Sequence, residues 1–226
     1  HYMGYRLGPQ NQIGTASVSR VIIDSKDRIW VGTDKGGLYC FDGTDRLIKH
    51  YTTEVPSVIM ALTESRDGRI WIGSYREGYG FIDPATQKYH HIDFPQDSHL
   101  SVMDIDVDDK GELWLATMRW GVLHLSSDGQ VIKSYVKTAE ADKNRKVNCI
   151  VNDYVNQVSL SPDYKRLYAA TSLGVCCLDI ASDNWVSTFG TNCLDYGSTA
   201  RAAEEYDGYL WEGTSEGLFR YRLKDG

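Results

Sequence analysis

The sequence has no C-x-x-C pair, and its five cysteines are an odd number: Cys40, Cys149, Cys176, Cys177 and Cys193. A zinc ribbon or a disulfide framework needs paired spacing, so both are set aside. Most of the cysteines stand in or beside apolar, strand-like stretches, where a free thiol acts as a small hydrophobe. There is no basic excess either: 24 Lys and Arg stand against 31 Asp and Glu, for a net charge of −7. A nucleic-acid partner is therefore not expected, since such binders show a basic face. No apolar run approaches the ~18 residues that suggest a transmembrane helix, so this segment is expected to make no membrane contact. No signal sequence is legible at the start, and "HYM" reads as a cloning remnant. A removed leader or a neighbouring domain stays open. No stretch keeps a 3.6-residue period for a helix's length, so helix is expected to be nearly absent.

What is present is a repeat. Five stretches align: "DSKDRIWVGTDKGGLYCFD" (24–42), "ESRDGRIWIGSYREGYGFID" (64–83), "VDDKGELWLATMRWGVLHLS" (107–126), "LSPDYKRLYAATSLGVCCLD" (160–179) and "EEYDGYLWEGTSEGLFRYRL" (204–223). Each runs from a polar turn through an apolar–aromatic pair and a small pair to a glycine and an alternating apolar run. The aromatics are Trp30, Trp71, Trp114, Tyr168 and Trp211, at intervals of 41, 43, 54 and 43 residues. A period of about 40–45 residues with four short strands per unit is the signature of a β-propeller.

The fold class is therefore all-β: a β-propeller of five four-stranded blade repeats, whole or as a fragment of a larger one. The blades are expected at about 18–52, 57–92, 101–136, 154–190 and 199–226. In the first, strands A to D fall at 18–23, 28–33, 37–42 and 47–52. Asp67-Gly68 and Asp207-Gly208 read as tight A–B turns, and the glycine before strand C serves a turn that needs positive φ. Strand B is apolar on both faces, as in "IWVG" and "IWIG", because a blade has neighbours on both sides. The last unit stops without a strand D. Residues 2–7 could supply it and close the ring; otherwise the repeats form an open arc.

The unit, with its W-x-G-T followed by G-L, resembles the two-component regulator propeller repeat. "RIWVGTDKGGLYCFD", "RIWIGSYREGYGFID" and "LWEGTSEGLFRY" carry the likeness, which extends over nearly the whole chain. Unit four departs with Tyr168 and Ala170, and unit three with Ala116. The Trp-Asp dipeptide of WD40 blades is absent. The resemblance implies the extracytoplasmic, periplasmic sensor of a hybrid two-component system, built from stacked propellers of about seven blades and followed by a sandwich, a membrane helix and a cytoplasmic kinase. It implies an oligosaccharide or other polar small ligand, and as partners the other domains of the same sensor or a second copy in a homodimer. No kinase residue is in the chain, so the segment is not expected to be an enzyme, and no cofactor or metal is expected.

Candidate constellations are few. "DIDVDDKGE" (104–112) resembles a calcium loop, but Asp109 stands where glycine is needed and the residues alternate as in a strand. "SRDGRIW" (65–71) is one residue short of a sialidase Asp box, and no nucleophile accompanies it. His90 and His91 are strand neighbours and face opposite ways. His124 reads as a lone strand-C residue. His99 is the best seed for the His/Glu cluster that a streptogramin-lyase-like propeller enzyme would need, which is the alternative reading; a protein-binding scaffold is the other.

The sharper candidates lie in the B–C turns. Tyr75, Arg76, Met118, Arg119 and Trp120 are large residues in turns that need only small ones, and Trp and Arg are enriched at contact hot spots. Arg20, Asp104 and Arg201 each stand ten residues before their Trp and are expected to share one strand-A position at the channel mouth. Finally, Glu212 takes the place of Val31, Ile72, Leu115 and Ala169. A carboxylate there is costly unless wet or paired, which predicts a face left uncovered or an Arg partner.

Overall fold

The computed structural model describes residues 16–44, 46–138, 148–186 and 199–223. Residues 2–7, Cys193 and the middle of the long 136–156 connection lie outside them. The described residues form nineteen strands and, among them, no helix. They fall into two compact units that divide between His99 and Leu100.

The first unit holds two antiparallel sheets. Blade one is β1 (Ser17–Ile23), β2 (Ile29–Asp34), β3 (Leu38–Phe41) and β4 (Leu47–Tyr51), paired in chain order. Blade two is β5 (Ile59–Glu64), β6 (Ile70–Ser74), β7 (Tyr79–Ile82) and β8 (Tyr89–Ile92). The Trp30 face of blade one (Trp30, Leu38, Cys40, Tyr51) packs on Ile59, Leu62, Ile70, Ile72 and Ile82 of blade two. The aromatic of strand B thus looks towards the next blade in the chain, and the residue after it looks back. Burial pushes the Cys40 thiol up to about 11, so it behaves as the small hydrophobe its sequence context suggests.

The second unit holds three sheets. Blade three is β9 (Ser101–Val107), β10 (Leu113–Met118), β11 (Val122–Leu125) and β12 (Val131–Tyr135). Blade four is β13 (Val155–Leu160), β14 (Arg166–Thr171), β15 (Gly174–Asp179) and β16 (Asn184–Val186). Blade five has three strands among the described residues, not four: β17 (Ala200–Tyr206), β18 (Tyr209–Thr214) and β19 (Leu218–Arg222). Trp114, Ala116 and Val122 pack on Leu167, Ala169 and Leu178. Tyr168, Ala170 and Cys177 in turn pack on Ala203 and Leu210.

Strand A of blades three and four is stitched to strand A of the following blade by side chains. Asp104 and Asp106 accept the amides of Val158 (3.3 Å) and Leu160 (2.8 Å), and Gln157 accepts that of Ala203 at 2.6 Å. Burial raises the Asp106 carboxyl above its ordinary range, against the pull of the Leu160 and Val107 amides.

The strand-B tryptophan is held by more than burial. Trp30 Nε1 donates to Asp24 Oδ2 (2.8 Å), Trp71 Nε1 to Ser65 Oγ (3.1 Å) and Trp114 Nε1 to Asp108 Oδ2 (3.3 Å). Asp24 also accepts the amides of Lys26 and Arg28 and pairs with Arg28 Nε at 2.6 Å. Burial pushes the Asp24 carboxyl up, but the hydrogen bonds from Trp30, Arg28 and Lys26 outweigh it and hold it below its ordinary value. A depressed carboxylate contributes stability above its unfolded pKa of about 3.9 and loses it as pH falls through the folded value. Asp24→Asn should therefore flatten the loss of stability below pH ~4. Urea midpoints measured from neutral to acid pH test this; an unchanged acid slope refutes it.

Several expectations need correction. Trp211 pairs with Glu204, whereas Trp30 and Trp114 pair with Ile22 and Asp106. The fifth A–B link is one residue shorter in this count, a two-residue turn with Asp207 at φ 49° and Gly208 at φ 74°. Arg201 therefore does not share the Arg20 and Asp104 position; it falls at the strand-A bulge, between Ala200 and Ala202. Asp67-Gly68, by contrast, sits inside a longer link that spans Glu64 to Ile70. Secondly, Glu212 is fully buried. It lies on the Leu210 face that packs on blade four, so it does not report on the outer face of blade five. The residue that does is Trp211: it is half-buried, while Trp30, Trp71 and Trp114 are at most 1% exposed.

Candidate functional site

Every B–C turn is closed by the same clamp. The hydroxyls of Thr33, Ser74, Thr117, Thr171 and Thr214 donate to the carbonyls of Gly37, Gly78, Gly121, Gly174 and Gly217 at 2.7–3.2 Å. This explains the Thr–Gly part of the motif as structural. Residues between the clamp ends carry no such duty. Blades one to three have three of them, and the middle one is Lys35, Arg76 or Arg119, at φ 68°, 65° and 81°. Left-handed backbone is uncommon outside glycine, and such positions cluster at functional sites. Three long cations hold it at one position of the repeat.

In the first unit the turn of blade two presents Tyr75, 45% exposed, beside exposed Arg76. Tyr75 N donates to Val58 O at 3.1 Å, and Glu77 Oε1 accepts both Ser57 N and Ser57 Oγ at 3.0 and 2.8 Å. The turn is thus tied to the loop that enters strand A. Beside it lies a groove of about 380 Å³ lined by Gly78, His91, Ile92, Asp93, Phe94, Pro95, Asp97 and Ser98. His91 Nε2 stands 3.6 Å from Asp93 Oδ1, while the His90 ring stacks on Phe81 at 5.2 Å. The two histidines do diverge, as the strand period requires. Arg20 is exposed on β1, with Nη1 donating to Ser19 O at 3.2 Å.

In the second unit the turn of blade three presents exposed Arg119 and half-buried Trp120. Trp120 N donates to Thr117 Oγ1 at 3.1 Å. Arg119 N and Gly121 N both donate to Asp153 O, at 2.9 and 3.1 Å. The Asp153 carboxylate accepts Lys137 N at 2.5 Å, and burial raises it above its ordinary range. The loop after the long connection therefore supports this turn. Asp104 is half-buried, and its carboxylate turns to the Val158 amide on the strand of blade four. Arg201 is exposed at its bulge. Within each unit, then, the turn residues are neighbours in the chain, and Asp104 and Arg201 of the second unit stand on separate blades.

Sequence reasoning missed one constellation. His124 is not alone: its Nε2 lies 2.9 Å from Glu112 Oε2. The spacing of twelve residues crosses a hairpin, and only the register that pairs Trp114 with His124 makes it visible. His99, exposed, donates its backbone amide to Asp97 Oδ1 at 2.9 Å and joins no such cluster among the described residues.

Residues 54–76 match the two component regulator propeller family. The matched repeat runs from the loop before strand A of blade two to Arg76, so it includes Tyr75 and Arg76. Among curated proteins no relative matches. Among solved structures the chain is similar to the extracellular domain of a hybrid two component system from B. thetaiotaomicron. The TM-score is 0.74 at 19% identity, over 95% of this chain and 28% of that one. A second extracellular domain from the same organism gives 0.70 at 19%, over 93% and 27%. Virginiamycin B lyase from Staphylococcus aureus gives 0.65 at 14%, over 94% and 71%. At these identities the likeness is one of fold, and the fold is a β-propeller. The chain spans little more than a quarter of the length of the two extracellular domains.

Proposed function

We propose that the chain is a ligand-sensing propeller segment of an extracytoplasmic two-component sensor, periplasmic in location, and that it binds an oligosaccharide on its B–C turns. The observation that carries the reading is the pair of oversized turns. Tyr75 with Arg76, and Arg119 with Trp120, occupy clamped turns whose closure needs none of them. An aromatic face beside a planar fork of donors suits a sugar ring with its hydroxyls. The propeller-repeat match over 54–76 and the likeness to extracellular domains of two-component systems support the wider assignment. Binding would act on the other domains of the same protein, or on a second copy, by shifting contacts; the turns themselves are rigidly tied.

The test is a panel of soluble oligosaccharides titrated against the chain with tryptophan fluorescence and calorimetry as readouts. A saturable signal is expected, weakened at least about tenfold by Trp120→Ala or Arg119→Ala, or by Tyr75→Ala or Arg76→Ala. Binding untouched by all four variants, or none across the panel, overturns the site.

A lyase reading has two observations in its favour, the Glu112–His124 pair and the likeness to virginiamycin B lyase. The pair sits at the start of strand B, at the opposite end from the clamped turns. Mass spectrometry of virginiamycin B and of candidate glycans after incubation decides: sustained turnover abolished by His124→Gln would favour the lyase.

A further inference from the structure

We propose that Asp108, Glu112 and His124 in blade three form a binding site for a divalent first-row transition metal of the Zn²⁺ class. The repeat supplies its own control. In blade one the equivalent residues are Asp24, Arg28 and Cys40. There the Asp24 carboxylate accepts two backbone amides and the Trp30 indole, and Arg28 neutralises it at 2.6 Å. Blade three keeps that cradle: Asp108 Oδ1 accepts Lys110 N and Glu112 N, both at 2.9 Å, and Asp108 Oδ2 accepts the Trp114 indole.

What changes is the charge. The residue two before the aromatic is Arg28, Arg69 and Arg166 in blades one, two and four, and Tyr209 in blade five. Blade three alone has an acid there. Glu112 brings a second carboxylate against Asp108 at the place where the paired arginine belongs. At the strand-C position Cys40 is replaced by His124, whose ring lies flat on Trp114 at 3.9 Å and reaches Glu112 Oε2 at 2.9 Å. One ligand atom from each of the three residues lies within 4.8 Å of the others. Tetrahedral zinc with bonds near 2.0–2.2 Å sets its ligands roughly 3.4 Å apart, so rotamer adjustments alone would close the set.

One imidazole and two carboxylates suit a borderline cation; calcium and magnesium prefer oxygen alone. The side chains of Glu112 and His124 keep 28% and 14% exposure, which leaves a side open for entry and for a water as fourth ligand. Asp108 is 5% exposed, so the site has a buried floor. A bound ion would tie the A–B turn to strand C, the tie that blade one makes between turn and strand B with an ion pair.

Metal-free protein titrated with zinc chloride in a calorimeter tests this, with calcium and magnesium chlorides as comparators. One zinc per chain is expected, with no saturable calcium or magnesium binding. Glu112→Gln and His124→Gln should each weaken zinc at least about tenfold. Glu112→Arg, which restores the blade-one arrangement, should abolish binding while keeping the urea midpoint. Ni²⁺ should quench Trp114 emission in the parent and not in Glu112→Arg. Zinc binding that survives Glu112→Arg, that is lost instead on His91→Gln, or that calcium matches would overturn the proposal, as would no binding at millimolar zinc.

Discussion

Trp71→Ala should lower the stability of the chain by about 3–5 kcal/mol, the cost of emptying a buried aromatic site. Trp71 is fully buried, pairs with Phe81 across the strand and lies 4.9 Å from its ring. The truncation opens a cavity that β-strands cannot collapse to fill, and it strips Ser65 Oγ of the indole it accepts. The informative comparison is Trp211→Ala. Trp211 sits at the same step of the repeat but is half-buried, roofed by Arg220 at 5.4 Å from its ring. Its loss should cost only about 1 kcal/mol. Urea unfolding of the two variants side by side measures the difference. Equal costs would mean that the Trp211 face is covered as fully as the others.

Gly121→Ala is expected to cost about 3 kcal/mol or more, from a strained backbone and an unavoidable clash together. Gly121 has φ 61°, and an added Cβ would stand 2.0 Å from the carbonyl oxygen of Tyr135. That atom belongs to the backbone of the adjacent strand and cannot swing aside. Gly208 has an equally positive φ of 74°, yet nothing lies within 4 Å of its added Cβ. Gly208→Ala should therefore cost only about 1 kcal/mol, the conformational part alone. In melting temperature the first change corresponds to a drop of roughly 6–12 °C for a chain of this size. Similar shifts for both would show that φ alone decides, and that close approach at the B–C turn contributes nothing.

The blades are legible in the sequence because their signals are local. Trp, Thr and Gly recur at fixed steps within one hairpin, and each is explained by a bond inside that hairpin: indole to turn, hydroxyl to glycine carbonyl. The fate of Arg201 is not legible, because its position depends on the length of the A–B link. "YDGYLW" shortens that link, and the ten-residue spacing then lands on a bulge. Glu212 escapes sequence reasoning for another reason. Alternation along β18 says that it and Trp211 face opposite ways, but only the packing of Leu210 on blade four says which way is outward. The Glu112–His124 pair falls between these cases. The two residues belong to separate strands of the motif, and the charge reversal shows only when blades are laid over one another. Tyr75, Arg76, Arg119 and Trp120 stand out by the opposite logic, as bulk that the hydroxyl–glycine clamp does not require.

The hydroxyl–glycine clamp has a consequence for how such a chain can change over generations. Its two ends, a Thr or Ser and a Gly, hold the turn shut without reference to the residues looped out between them. The side chains of Lys35, Tyr75, Arg76, Arg119 and Trp120 can thus vary with the clamp intact, whereas Gly36, whose added Cβ would stand 2.6 Å from Thr33 Oγ1, and Glu77, which holds Ser57, are tied to the fold. If the turns bind as proposed, recognition can drift blade by blade on a frame that stays the same, and two descendants come to prefer different ligands with near-identical strands beneath.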